Sequence, residues 1–171
     1  DWLRRCFPLG RRVRVLGTSG AGKTTTGKKL ATRLGLPFVE LDAIHWGPEW
    51  TPRAAHLRDE LARLAVESWV MDGSYMSITG AVLQPHVDTV VWLDLPFHEV
   101  MAGVVGRTVR RVFMREELWS GNRERLWTQL GRDSIVWWAA TTYHRRRREL
   151  EALTERPRFA WFACGGGQRS I

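Results

Sequence analysis

The stretch Gly17-Thr18-Ser19-Gly20-Ala21-Gly22-Lys23-Thr24 decides the fold of this 171-residue chain. It matches the pattern G-x-x-x-x-G-K-[ST] at every defined position. Residues 12–16 before it are short, apolar and β-branched enough for a strand, and residues 23–34 after it have helical composition. In a strand–loop–helix context, the backbone N–H groups of residues 19–24 converge and bind phosphate oxygens.

The loop therefore predicts a nucleotide site for ATP and Mg²⁺. Lys23 is expected to reach the β- and γ-phosphates, and the Thr24 hydroxyl to ligate Mg²⁺. No Asn-Lys-x-Asp guanine signature occurs in the chain, so ATP is the default nucleotide. The predicted nucleotide-binding residues are Gly17, Ser19, Gly20, Ala21, Gly22, Lys23, Thr24 and Thr25, with Arg110 from a later segment.

Apolar strand-like runs alternate with helical patterns along the rest of the chain. This alternation predicts a three-layer α/β domain with a parallel sheet. We expect one domain over residues 1–171, with its core in residues 10–171, and we expect Trp137 and Trp138 to face that core. The predicted strands after the first are 36–42, 69–71, 87–93 and 158–163, and the predicted helices after 23–34 are 52–67, 97–113 and 123–144.

Three aspartates follow predicted strands, at the edge where α/β sheets bind ligands. Asp72 ends the apolar run 69–71 in a Walker-B-like pattern and is the first choice for holding Mg²⁺. Asp42 is the first choice for orienting or deprotonating an acceptor hydroxyl, with Trp46 as a platform beside it. Asp94, followed by Pro96, is equally consistent with strand termination, and turn formation is the alternative for each of the three.

Four arginines in the segment after residue 106 are candidates for contacting the transferred phosphate. Phosphoryl transfer needs positive charge over the equatorial oxygens. The spacing lets Arg107, Arg111 and Arg115 share a helix face with Arg110 alongside, and a solvated helix face is the alternative. The run 145–148, four consecutive arginines, points in all directions around a helix and is expected at the surface.

The basic balance of the chain has two interpretations. The net charge is +8, and residues 107–148 contain eleven arginines against four acids. This charge is compatible with nucleic-acid binding, but also with arginines that converge on a polyphosphate, which we favour. Two cysteines without metal or redox spacing, and no apolar run long enough for a membrane span, suggest a cytoplasmic protein without a membrane partner.

The motifs together resemble the topology-modulation kinase-like P-loop proteins, bacterial relatives of adenylate and shikimate kinases. The resemblance covers about residues 12–163 and rests on GTSGAGKTT, LDAIHW, MDGSY, DLP and GNRER in this order. It implies a nucleoside-monophosphate-kinase-like fold with a five-stranded parallel sheet of order 2-3-1-4-5. It also implies a substrate-binding insertion near residues 43–67 and an arginine-bearing lid near 107–125.

The resemblance has one departure that bears on the acceptor. Asp72-Gly73 stands where adenylate kinases carry an Asp-Gly-aromatic-Pro-Arg motif, but this chain continues with Ser74-Tyr75-Met76 and lacks that arginine. This argues against plain AMP phosphorylation. Substrate contacts are expected from Asp42, Trp46, Gly73 and Tyr75, whereas Asn122 and Glu124 match the pattern without a clear role.

These features predict an ATP-dependent phosphotransferase for a small acceptor that carries a hydroxyl or phosphate group. Its predicted catalytic residues are Lys23, Asp42, Arg107, Arg111 and Arg115, and its predicted Mg²⁺ ligands are Thr24 and Asp72. The alternatives are a nucleotide-dependent nucleic-acid-binding protein that affects DNA topology, and a nucleotide-binding protein without turnover.

Overall fold

A central parallel β-sheet with helices on both faces forms the protein in a computed structural model, which describes residues 10–73, 82–114, 117–122, 134–154 and 160–164. The strands are β1 (Arg12–Gly17), β2 (Phe38–Glu40), β3 (Trp69–Asp72), β4 (Thr89–Leu93) and β5 (Ala160–Cys164). The helices are α1 (Lys23–Leu34), α2 (Leu41–His45), α3 (Ala54–Leu64), α4 (Phe97–Phe113) and α5 (Ile135–Thr154). The predicted α/β class with a parallel sheet is confirmed.

The strand β1 lies at the centre of the sheet. It pairs in parallel with β3 on one side and with β4 on the other. The strand β2 pairs beyond β3, and β5 pairs with β4, so that the order is β2-β3-β1-β4-β5. Because the strands are parallel, the residues that follow β1, β2, β3 and β4 come together at one edge.

The two faces of the sheet bury different sets of apolar side chains. Val13 and Val15 of β1 pack with Leu30 and Ala31 of α1 on one face. Leu16, on the other face, packs in a cluster with residues of α3, β3 and β4. This alternation within one strand is the period of two expected of a strand buried on both sides.

Arg14 breaks the apolar pattern of β1. Its side chain points to the same face as Leu16 and is only 2% exposed. Its guanidinium donates to the Gly73 carbonyl at 3.5 Å, and burial lowers its pKa to about 10. The central strand therefore carries a buried cation directly beneath the segment that follows β3.

Asp42 does not lie at the end of a strand as predicted. The strand β2 stops at Glu40, and Leu41 begins the short helix α2, in which Asp42 occupies the first turn. Leu41 is fully buried in the core while Asp42 is half-buried. The chain turns into a helix here, and Leu41 enters the core directly after β2. The prediction of one strand over residues 36–42 is therefore wrong.

The helices α4 and α5 each bury one face against the rest of the protein, and that of α5 corrects an expectation about the core. The side chains of Val100, Val104 and Thr108 form the buried stripe of α4. In α5, Trp137 and Trp138 are 52% and 38% exposed, so the prediction that they face the core is wrong. Their apolar composition was misleading because Ala139 and Tyr143, one helical turn apart, carry the buried face.

Asp94 has a structural partner on α5. Its two carboxylate oxygens accept hydrogen bonds from Arg147 Nε at 2.7 Å and Nη2 at 2.8 Å. One helical turn before Arg147, the Tyr143 hydroxyl donates to the Leu95 carbonyl at 2.8 Å. Asp94 thus fixes α5 to the end of β4, which agrees with its interpretation as a strand-terminating residue. The arginine run 145–148 is correspondingly not all surface, because Arg146 and Arg147 are half-buried.

Candidate active site

The loop between β1 and α1 has the backbone geometry of a phosphate cradle. Gly20 and Gly22 have φ angles of 88° and 82°, in the left-handed region that glycine tolerates. Gly22 caps α1, whose start has no side-chain cap and no acidic residue in its first turn. The first N–H groups of a twelve-residue helix and its positive dipole end therefore face the loop.

The loop is held from behind by α4. A Cβ atom built on Gly20 would lie 2.5 Å from Val104 Cγ2 and 2.6 Å from the Val100 carbonyl oxygen. A Cβ on Gly103 would lie 2.4 Å from the Gly20 carbonyl oxygen. A Cβ on Gly22, by contrast, would meet nothing within 4 Å. The loop thus packs backbone to backbone at Gly20 and faces open space at Gly22.

Thr24 and Asp72, the predicted Mg²⁺ residues, are in direct contact. Thr24 Oγ1 donates to Asp72 Oδ2 at 2.5 Å. Asp72 is 3% exposed, and its Oδ1 has no hydrogen-bond partner within the described residues. Burial raises the Asp72 pKa to about 6, and the bond from Thr24 opposes this rise.

These observations test whether the residues present fit Mg²⁺. A buried carboxylate oxygen without a donor is costly, and a hydroxyl beside it adds a second hard oxygen of the kind that Mg²⁺ prefers. The donor set and the orphaned Oδ1 therefore fit the cation of a nucleotide–Mg²⁺ complex. Among the described residues, no group of three or more His, Cys, Asp or Glu side chains is arranged to hold a metal by itself.

Lys23 lies at the meeting point of several charges. Its Nζ donates to the Thr18 carbonyl at 2.9 Å. Burial lowers its pKa to about 8, Asp72 raises it, and Arg107 lowers it further. A half-buried ammonium with positive neighbours is stabilised by an anion, which is the electrostatic setting of a polyphosphate site.

Two of the four arginines predicted to contact the transferred phosphate, Arg107 and Arg111, have partly buried side chains that point to different places. Arg107 donates through Nη2 to Ser19 Oγ of the loop at 3.3 Å. The guanidinium of Arg111, one helical turn later, lies 5.8 Å from the centre of the Trp119 ring. Arg110 is exposed, and Arg115 lies outside the described residues, so the roles of these two stay predictions.

The acceptor side begins with the acids that follow β2. Glu40 is half-buried, and burial raises its pKa while Lys28 and a hydrogen bond from the Trp119 indole oppose the rise. Asp42 is near enough to Lys23 and Asp72 to raise the pKa of each. Glu40, Asp42 and Asp72 therefore form an acidic group next to Lys23. The sequence pattern did not single out Glu40, because it reads as an ordinary strand residue.

Three indoles form a continuous aromatic wall beside these acids. The ring of Trp46 meets that of Trp50 at 5.9 Å between centroids, and Trp50 meets Trp119 at 6.4 Å, both edge to face. The ring of His45 meets that of Trp46 at 4.7 Å. Trp46, the predicted platform residue, thus lies in a row of three tryptophans, one of which comes from a segment about 70 residues later in the chain. Its role as a platform stays a prediction.

Gly73 and Tyr75 are the other predicted substrate residues. Gly73 has a φ of 111°, and a Cβ atom on it would lie 2.7 Å from Leu41 Cβ, so close packing against α2 requires glycine there. Tyr75 lies outside the described residues. The predicted substrate contacts of both stay predictions.

Arg146 is a further residue at the site that the sequence pattern placed on the surface. Its guanidinium lies 4.9 Å from the centre of the Trp138 ring. Burial lowers its pKa, and it is near enough to Lys23 to lower the lysine pKa. A run of four arginines carries no signal for which one turns inward, because that choice depends on how α5 is rotated on the sheet.

Comparison with known proteins finds similarity to P-loop kinases in sequence and in fold. The shikimate kinase family model matches residues 19–47, which include most of the phosphate loop and α2. A shikimate kinase from Thermosynechococcus vestitus is 33% identical over 102 residues, 51% of this chain and 56% of that protein. One from Parasynechococcus marenigrum is 32% identical over 124 residues, 63% of this chain and 65% of that protein. The chain thus spans between half and two thirds of the length of these relatives.

Solved structures agree on the fold. A shikimate kinase from Acinetobacter baumannii in complex with shikimate has a TM-score of 0.57 at 17% identity, covering 98% of this chain and 89% of that one. A gluconokinase from Sinorhizobium meliloti has a TM-score of 0.54 at 21% identity, covering 95% and 85%. The chain has the fold of P-loop kinases of this kind, and its similarity in sequence is to shikimate kinases around the phosphate loop. The topology-modulation type is not among these findings.

Among the described residues, no helix is long and apolar enough to cross a membrane.

Proposed function

We propose that the protein is an ATP-dependent phosphotransferase that acts on a hydroxyl group of a small molecule. The observation that carries the proposal is the contact of Thr24 with Asp72, whose second carboxylate oxygen is orphaned, beside Lys23 and opposite Asp42. A phosphate cradle by itself supports only nucleotide binding. The acidic group beside that cradle and the aromatic wall next to these acids add groups that can bind a second substrate, which phosphate transfer needs.

The residues divide into those that hold the phosphates and those that handle the acceptor. The N–H groups of the loop bind the phosphate oxygens, while Lys23 and Arg107 supply positive charge where it develops during transfer. Thr24 and Asp72 hold Mg²⁺, which neutralises phosphate charge when it is bound. Asp42 orients the acceptor hydroxyl and accepts its proton, and Trp46, Trp50 and Trp119 enclose the acceptor and exclude water.

The acceptor-binding insertion and the lid belong to the same proposal. We assign residues 43–67 to acceptor binding and residues 107–125 to a lid over the phosphates, with Arg110 and Arg115 as further candidates for phosphate contact. The relatives are shikimate kinases and one structural neighbour is a gluconokinase, so polyhydroxylated carboxylates are the first acceptors to test. The family assignment as a topology-modulation kinase-like protein and a cytoplasmic location remain part of this proposal.

A coupled assay for ADP release tests the proposal. The panel contains shikimate, gluconate, other polyols, nucleosides and nucleoside monophosphates, with Mg²⁺ and ATP. We expect ADP release to rise at least tenfold with one class of acceptor. We also expect Asp42→Asn to lower transfer to that acceptor by about 10²-fold, and to lower the slow hydrolysis of ATP much less. No stimulation by any acceptor, or an equal loss of transfer and hydrolysis, would contradict it.

A nucleic-acid role is the second candidate, and exposed groups on α5 favour it. Trp137, Arg145 and Arg148 are exposed, and bases stack on such aromatic side chains. Arg147, however, is engaged with Asp94, and Arg146 turns inward. The test is a salt titration of binding to single-stranded DNA, in which affinity must fall steeply with salt and must require Arg145 and Arg148. Absence of binding at low salt removes this candidate.

A further inference from the structure

Asn122 connects two parts of the chain that lie about 70 residues apart. Its side chain makes three hydrogen bonds to main-chain groups. Oδ1 accepts from the Trp50 N–H at 3.0 Å, and Nδ2 donates to the carbonyls of Gly47 and Trp119, each at 2.8 Å. Asn122 is 5% exposed. All the polar atoms of one buried side chain are therefore used to hold the loop 47–50, called the acceptor loop below, against the segment 117–122.

Further contacts reinforce this connection. Ser120 Oγ donates to the Trp46 carbonyl at 2.8 Å, and the Leu118 N–H donates to the Asn122 carbonyl at 2.7 Å. The backbone is strained on both sides, because Trp50 and Ser120 have φ angles of 58° and 57° without being glycine. Such conformations persist only where the surroundings hold them. The hydrogen bond from the Trp50 N–H to Asn122 acts directly on this strained residue, while bonds from the Gly47 and Thr51 N–H groups hold the main chain around it.

The two main-chain segments that Asn122 ties carry two indoles of the aromatic wall. The rings of Trp50 and Trp119 meet edge to face, and Arg111 of α4 lies against the Trp119 ring on the lid side. The same indole is also near enough to Glu40 to lower the pKa of that carboxyl. The position of Trp119 is therefore shared by the acceptor loop, the end of β2 and the lid helix.

We propose that Asn122 is a positioning residue that sets Trp50 and Trp119 as one wall of the acceptor pocket, and that it thereby links acceptor binding to the lid. The inference rests on the proposed function, because it assigns the wall to the acceptor. Phosphate binding is not expected to depend on Asn122. The loop 17–24 is held by β1, α1 and α4, and among the described residues it has no hydrogen bond with Asn122.

The first test is kinetic and separates acceptor from nucleotide. It uses Asn122→Ala, and Asn122→Asp as a second variant that keeps the acceptor for the Trp50 N–H but loses both donors. With the acceptor found in the ADP-release panel, we expect KM for the acceptor to rise at least tenfold in both variants. The dissociation constant of Mg·ADP, measured by titration calorimetry, should change less than twofold. Equal changes in the two quantities would overturn the proposal, because a general loss of structure affects both.

The second test reads the connection directly and needs no acceptor. Hydrogen–deuterium exchange of the full-length protein is followed in peptides covering residues 43–53, 117–122 and 12–34. In Asn122→Ala, we expect exchange of the first two peptides to quicken together, while that of the third stays as in the unsubstituted protein. Acceleration in only one of the two tied peptides would overturn the connection. If the panel yields no acceptor, the proposed function fails, and the exchange experiment still decides whether Asn122 ties these segments.

Discussion

The phosphate half of this site, residues 17–24, and its proposed acceptor half, residues 40–50 and 117–122, both contain left-handed backbone but stabilise it in different ways. In the phosphate loop the left-handed residues are Gly20 and Gly22, for which the conformation carries no steric cost. In the acceptor half they are Glu49, Trp50 and Ser120, which would leave that conformation if released. The residues of the phosphate loop tolerate their left-handed conformation by themselves, whereas those of the other half need contacts with distant segments to keep it.

The difference bears on how each half achieves its chemistry. A loop built from glycine can approach phosphate closely, and this one is supported by its flanking strand and helix and, from behind, by α4. The acceptor half depends on Asn122, on three indoles and on an acid at the end of β2, all of which must be assembled by the fold. Acceptor identity can therefore vary between related proteins while the phosphate loop stays the same.

The largest expected effect comes from removing the charge at the centre of the phosphate half. Lys23→Ala should lower phosphate transfer by at least about 10³-fold, because the ammonium stabilises charge that develops on the transferred group. The ADP-release assay measures this. Lys29→Ala, on the exposed side of α1, is the matched control and should stay within twofold. If the Lys23→Ala variant keeps its phosphate transfer, the catalytic role proposed for Lys23 is wrong.

The next effect concerns the stability that the protein loses because the ionised carboxylate of Asp72 is buried. The pKa of Asp72 is raised to about 6 from an ordinary value of 3.8. A raised carboxyl pKa contributes stability that is present below pH 3.8 and lost as the pH rises through 6. Asp72→Asn should therefore raise the free energy of unfolding at pH 8 by up to about 3 kcal/mol, while impairing activity.

Urea unfolding of the ligand-free protein at two pH values measures this effect. The gain from Asp72→Asn should shrink by about half at pH 5, because the native carboxyl is then largely protonated. Asp59→Asn on the exposed face of α3 serves as the control. A loss of stability at pH 8 would show that the hydrogen bond from Thr24 outweighs the cost of burial.

A pair of glycine substitutions tests whether the contacts with α4 support the phosphate loop. Gly20→Ala and Gly22→Ala carry a similar left-handed strain, but only the first pushes a methyl group into Val104 and the Val100 carbonyl. Gly20→Ala should be more destabilising than Gly22→Ala by about 2 kcal/mol in urea unfolding. Equal losses would mean that α4 does not support the loop.

The smallest expected effect is a gain in the acceptor half. Glu49 is exposed and has a φ of 55°, so Glu49→Gly relieves backbone strain and offsets the added freedom of the unfolded chain. We expect the free energy of unfolding to rise by about 0.5 kcal/mol. Ala43→Gly, in the helix α2, should instead lower it by about 1 kcal/mol. If Glu49→Gly also lowers it, the strain inferred for the acceptor half is absent.

The parts of the molecule that could be predicted from sequence are those encoded locally. The loop 17–24 and the helices 23–34 and 97–113 have the expected bounds, because glycine spacing and a 3.6-residue period act over neighbouring residues. Thr24 and Asp72 were expected to act together, and the structure brings them into contact. Their pairing was predictable because residues that follow adjacent parallel strands lie at the same edge of the sheet.

What could not be predicted depends on the rotation of helices and on contacts between distant segments. Trp137 and Trp138 looked like core residues because composition does not report which face of α5 meets the sheet. The inward position of Arg146 and the binding of Arg147 to Asp94 could not be predicted for the same reason. The role of Asn122 depends on three main-chain partners, two of which lie in the loop 47–50, and no local pattern contains that information.

The contact between Gly103 and the Gly20 carbonyl extends the phosphate-binding motif beyond its eight residues. Any side chain at position 103 would displace the loop that it backs, so the nucleotide signature of this chain has a ninth member on α4, more than 80 residues downstream. Transplanting residues 17–24 onto another strand–helix unit would then yield a loop without its rear support. A designed protein that contains this phosphate loop therefore also needs a glycine at the position of Gly103.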